Sequence, residues 1–216
     1  MTDQSNPFVQ TPEQLLERLT QANLAQNGGI TDETLKRLRG NVPEVPEGPL
    51  TFLSLRIRLG EGQEGVQRTA NAHLAEILRV HGERNVWRWD HLRTDKKHLR
   101  LWVGNETHKP VVKWCVIDLD THRKRQSITA VRGPKSIADE GLVLAWLYPD
   151  YPRSIDYKEN PGYFLGGYEL NIPVSDDESW DDVPIVYRPL GAGGVGLRAG
   201  WRGSGLSGYA VSSLRE

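Results

Sequence analysis

Apolar residues recur at helical spacing over the first forty positions and at alternating spacing from position 51, which divides the chain into two parts. Leu15, Leu16, Leu19 and Leu24 form a helical stripe behind Thr11-Pro12-Glu13-Gln14. That tetrapeptide is a capping box with proline in the first helical turn. Asn27-Gly28-Gly29 ends the helix, and Thr31 caps a second one that runs through Leu38 and closes at Gly40. Pro43, Pro46 and Pro49 then make a stiff linker in which neither a helix nor a central strand persists. Residues 1–49 therefore read as a helical arm with a Pro-rich linker, and 50–216 as an α+β domain.

Leu53, Leu55, Ile57 and Leu59 alternate with Ser54, Arg56 and Arg58, predicting a half-buried strand whose outer face is basic. Val66, Ala70, His73, Leu74, Ile77 and His81 share one face of a helix that Gly82 terminates, and place both histidines inward as hydrogen-bonded core residues. Strands follow at 85–93, 98–103 and 110–120. Residues 141–147, introduced by Ser136, read as a short helix with a buried strand as the alternative, and a loop covers 148–161. Residues 163–172, 184–189 and 208–214 read as the last strands. The strand–helix–strand–strand opening fits a ferredoxin-like or RRM-like antiparallel sheet with helices on one face.

Net charge is −1, yet the charges are segregated. Residues 51–135 carry 17 basic and 9 acidic side chains, whereas 136–182 carry 2 basic and 11 acidic. Such asymmetry predicts either a polyanionic partner for the basic half or two halves that face each other in the fold. Apolar content of 38% and charged content of 25% suit a globular protein. The longest apolar run, 141–148, is too short to span a membrane, and the N-terminus has no signal-peptide pattern. Cys115 is the only cysteine, so an intrachain disulfide is excluded and a cytoplasmic setting is the expectation.

Three constellations could carry chemistry. Arg56 and Arg58, Trp87 with Trp89, and Arg100 with Trp102 each share a strand face, and Lys96, Lys97, Arg123, Lys124 and Arg125 lie at strand ends. Cations that neutralise phosphates beside aromatic faces that stack bases are what single-stranded nucleic acid requires; a core role for the tryptophans is the alternative. Between Gly191 and Gly208, 8 of 18 residues are glycine, with Arg198 and Arg202 among them. Convergent backbone amides flanked by arginines would form an anion site.

The run Gly193-Gly194-Val-Gly196-Leu-Arg198, followed by Arg202-Gly203-Ser-Gly205 and a terminal strand, resembles the glycine-rich loop of RAMP-superfamily proteins, the RNA-binding subunits of CRISPR effector complexes. The resemblance covers about 20 residues. It implies a ferredoxin-like fold and RNA-backbone contacts at Gly194, Gly196, Arg198, Arg202 and Gly203. The third constellation is Asp118 with Asp120, two apart on a strand and so on one face. Two such carboxylates could hold Mg²⁺ for phosphoryl or nucleotidyl transfer, and an apolar strand ending in Asp-x-Asp resembles the first motif of archaeo-eukaryotic primases. The later Ser-x-His element of that family has no counterpart, because all six histidines lie at or before position 122. The acidic run 175–182 lacks calcium-loop spacing and reads as a solvated loop.

The leading expectation is a non-enzymatic nucleic-acid-binding subunit of a larger assembly, with RNA preferred over DNA and no cofactor or membrane. A structural assembly protein, of a virus or phage for example, that uses the arm and the glycine segment is a second reading. A Mg²⁺-dependent enzyme at Asp118 and Asp120 is a third.

Overall fold

The computed structural model describes residues 6–24, 30–88, 92–102, 108–120, 127–133, 135–172, 179–189, 194–203 and 208–215, apart from the side chains of Asp120 and Arg215. The arm carries both capped helices, but the first ends at Gln21, and the stop read at Asn27-Gly28-Gly29 lies outside the described residues. In α1 (Pro12–Gln21) the Thr11 hydroxyl accepts the Gln14 N–H, and Gln14 Oε1 accepts the Thr11 N–H at 2.8 Å. Thr31 caps α2 (Asp32–Gly40), its hydroxyl accepting the Thr34 N–H at 3.2 Å. Leu15, Leu16, Leu19, Leu35 and Leu38 are buried in the main core, so the arm packs onto the domain.

The chain continues through β1 (Thr51–Arg58), α3 (Gly62–His81), β2 (Val86–Arg88), β3 (Leu99–Leu101), β4 (Val111–Asp120), α4 (Ile128–Val131), α5 (Asp139–Leu147) and α6 (Asp150–Ser154). It ends with β5 (Gly162–Phe164), β6 (Tyr168–Leu170), β7 (Asp182–Tyr187), β8 (Val195–Trp201) and β9 (Tyr209–Arg215). The fold is mixed α/β. Among the described residues nine strands form one sheet in the order β1-β4-β9-β5-β7-β6-β3, and β8 joins β7 to β2. Two of its pairings, β5 with β9 and β2 with β8, are parallel. The sheet is therefore mixed where an antiparallel one was expected, and has more strands than a simple ferredoxin-like sheet.

Helix α5 organises the core. All nine of its residues are buried, as expected of a helix that is apolar on every side. Its first turn carries Asp139 and Glu140, where carboxylates suit the helix dipole. Ser136 does not cap it; Ala138 occupies that position, and Glu140 Oε2 accepts the Ala138 N–H at 2.9 Å.

The basic outer face expected for β1 is not exposed. All eight residues of the strand are buried. One face carries Leu55, which pairs with Trp114 of β4, and the Trp114 indole donates to the Leu38 carbonyl of α2 at 2.7 Å. The opposite face carries Arg56 and Arg58, which meet the acidic start of α5. An alternating pattern records which residues differ between two faces, not whether the polar face meets water or a buried carboxylate.

Three further expectations change. The strand read over 163–172 breaks at Gly166-Gly167 into β5 and β6, since the Gly167 N–H turns to the Ile137 carbonyl at 2.8 Å. The loop read over 148–161 contains α6. The glycine-rich segment, read as a loop, is β8 over Val195–Trp201. Val195 and Leu197 are buried there, while Gly196, Arg198 and Gly200 take the other face.

Candidate nucleic-acid interface

The cations of the basic half do not form one groove. Arg56 Nε bonds Glu140 Oε1, and Arg58 Nε donates to Asp139 Oδ2 at 2.8 Å, with the guanidinium only 4% exposed. Asp139 Oδ1 accepts the Tyr168 hydroxyl, and His108 Nε2 lies 3.8 Å from Asp139 Oδ2. Burial alone would raise the Glu140 carboxyl; Arg56 and Arg58 outweigh that and hold it below its ordinary value. His73 and His81 are core residues as read, with Nε2 of each 2.9 Å from the carbonyls of Ile57 and Ala145 respectively.

A second knot of opposite charges sits on β6. Glu169 receives Arg100 Nε at 2.9 Å and Arg132 at 2.9 Å, and Arg202 lies 3.6 Å from it. Arg202 also bonds Asp181 at 2.6 Å. Arg100 lies over the Trp180 ring at 4.1 Å, and Arg132 over Trp102 at 5.4 Å. Each of these carboxylates comes from the acidic half. Of the two meanings of charge segregation, the halves facing each other is the one this geometry realises.

The other sequence-singled residues separate as follows. Lys96 and Lys97 are exposed in the turn before β3, where Asp95 accepts the Lys97 N–H and His98; β3 pairs with β6 and not with β2 or β8. Asp118 lies on a central strand between Thr51 and Ser213. Trp89, Arg123, Lys124, Arg125 and the Asp120 side chain lie outside the described residues, as does the first half of the acidic run, 175–178. Among the described residues no group of three His, Cys, Asp or Glu could hold a metal.

One cluster remains open to solvent. Parallel pairing sets Trp87 of β2 beside Gly196 of β8, and antiparallel pairing sets Tyr187 of β7 on the other side of Gly196. All three share a sheet face with Arg198. Trp87 is 46% exposed and meets Tyr187 edge-on, with centroids 5.9 Å apart at 80°. The Arg198 guanidinium lies 5.0 Å from the Tyr187 ring and 5.6 Å from the Tyr209 ring, and its Nη2 donates to the Tyr209 hydroxyl at 3.1 Å. Its Nε has no hydrogen-bond partner among the described residues.

Gly194, Gly196 and Gly200 serve contact, not backbone reversal. Gly194 presses against the Asn85 carbonyl, and a Cβ on Gly196 would collide with the Tyr187 ring. Removing a side chain at 196 is what lets Tyr187 lie flat across β8 toward Trp87. Through Leu197 the β8 backbone is laddered to β7 and β2, and beyond it to β7 on one side, so residues 195–201 run as a strand and not as an amide-lined anion loop.

Sequence reasoning found Trp87, Gly196 and Arg198 but missed Tyr187 and Tyr209. The signal was present: Gly194, Gly196, Arg198 and Gly200 alternate with Val195, Leu197 and Ala199, a period of two that marks a strand. Comparison of the chain with models of known protein families, with curated proteins and with solved structures finds no match.

Proposed function

We propose that the protein is a non-catalytic binding subunit that contacts single-stranded nucleic acid, RNA foremost, through the Trp87–Tyr187–Arg198 corner of its sheet. The observation that carries this reading is a half-exposed tryptophan set edge-on to a tyrosine that lies beneath an arginine. An exposed indole stacks a base whatever its identity, and a guanidinium beside it supplies the cation for an adjoining phosphate. Arg84 and Arg188, both exposed near this corner in sequence, add positive charge. The preference for RNA rests on the resemblance of the glycine–arginine run to RAMP-superfamily proteins. A ferredoxin-like unit widened by extra strands belongs to the same proposal, supported by the antiparallel β1–β4 pair packed with α5 and α3.

The contact is local. With Arg56, Arg58, Arg100 and Arg202 committed to carboxylates, affinity comes from stacking more than from charge. Trp87→Ala should weaken binding of a single-stranded RNA by roughly 5- to 100-fold, the worth of one stacked base, and Arg198→Ala by a similar factor. Gel-shift titration at low salt measures both, with Arg100→Ala as the comparison that leaves affinity unchanged. Equal affinity in the wild type and both variants overturns the reading.

A second reading, a structural assembly protein, draws on a separate observation. Trp201 is 59% exposed, and β8 beyond Leu197 has a ladder partner only on its β7 side among the described residues. An open strand edge with an exposed indole is a pairing surface for another subunit. Light scattering that shows concentration-dependent association, abolished by Trp201→Ser, supports it; a monomer at every concentration does not.

A further inference from the structure

Beyond the sheet corner, the arm and the domain enclose a recess of about 410 Å³ between α2, the end of β1, the start of α3 and the start of β4. Arg37, Arg58 and Arg68 line it, together with Thr34 and Gly60, and among the described residues no carboxylate does. Each arginine comes from a different element, so none is there as a helical neighbour of another. Arg58 is compensated by Asp139. Arg37 donates only to a neutral carbonyl, that of Val112 at 3.0 Å, and Arg68 has no hydrogen-bond or ion-pair partner among the described residues. Among the described residues the recess therefore presents two guanidinium groups without a paired carboxylate, backed by a third.

We propose that this recess binds a small phosphorylated ligand, its phosphate held between Arg37 and Arg68 above Arg58. Guanidinium forks match phosphate oxygens in geometry and charge, and two uncompensated cations match a dianion. The hydroxyl of Thr34 stands on the same wall as a further donor. Because Arg37 belongs to α2 and Arg68 to α3, a bound phosphate ties the arm to the domain. This site shares no residue with the Trp87–Tyr187–Arg198 corner, and its fate is independent of that reading.

The probes are inorganic phosphate, adenosine 5′-monophosphate and adenosine, each titrated into the full chain by calorimetry and by thermal unfolding, with sodium chloride at matched ionic strength. Phosphate or the monophosphate should bind and raise the unfolding temperature, while adenosine should not. Binding of both phosphates alike assigns the site to the free anion, and tighter binding of the monophosphate assigns it to an ester. Arg68→Ala, at an exposed position on α3, should weaken binding at least tenfold, Arg68→Lys less, and Trp87→Ala not at all. The proposal is overturned if phosphates act no differently from chloride, or if Arg68→Ala and Arg37→Ala bind as the wild type does.

Discussion

Arg58 Nε and Asp139 Oδ2 meet at 2.8 Å with their side chains 4% and 0% exposed, joining the basic half of the chain to the acidic half inside the core. Neighbouring Arg56 and Glu140 repeat the contact. Two ion pairs at the first turn of α5 thus dock that helix on β1, at the strand face that the alternation pattern assigned to solvent.

Breaking one partner of such a pair leaves a buried charge unanswered. Asp139→Asn should cost about 3–5 kcal/mol of stability, as should Arg58→Met. The double variant should lose markedly less than the two single losses added together, because neither charge is then orphaned. Urea unfolding of the four proteins measures the coupling.

Acid should destabilise the protein before its carboxylates titrate. Burial lowers His73, His81 and His108 below their ordinary value, Asp139 opposing it at His73 and His108. Each stays neutral when folded but takes up a proton on unfolding below about pH 6.5, so stability is full above that pH and falls below it. The limiting slope is about 1.4 kcal/mol per pH unit for each such histidine. Glu140, held below its ordinary value by the arginines, adds a further loss as pH falls through its folded value. Urea midpoints between pH 7.5 and 5 should decline, and His108→Gln should flatten the decline.

At the glycine-rich strand, Gly194→Ala should destabilise the protein by about 1–3 kcal/mol, since the clash is with the Asn85 backbone, which cannot step aside. Gly200→Ala should cost less, because the neighbour it meets is the end of the Ile185 side chain. Thermal unfolding ranks the two.

The elements that local rules specify were legible: the Thr11 and Thr31 caps, the Gly82 stop of α3 and the alternation of β1 all stand in the sequence as they stand in the fold. What local rules cannot see is pairing. Nothing near Arg56 or Arg58 announces Asp139 and Glu140 eighty residues later, although the opposed charges of the two halves carried that message in aggregate. The same limit hid the candidate site. Trp87 and Arg198 were visible singly, but Tyr187 becomes their neighbour only through the β7–β8 register, and Gly196, which looked like part of an anion loop, is the small residue beneath the tyrosine ring.

The salt dependence of binding to a short single-stranded RNA tests the account most directly, because counterion release counts the cations that are free to meet phosphate. With Arg198 and one or two neighbours at the Trp87 corner making the contact, log affinity against log salt should fall with a slope of about −1 to −2. A slope of about −4 or steeper would mean that cations well beyond this corner meet phosphate, and contradicts the account, as does the absence of measurable binding at low salt.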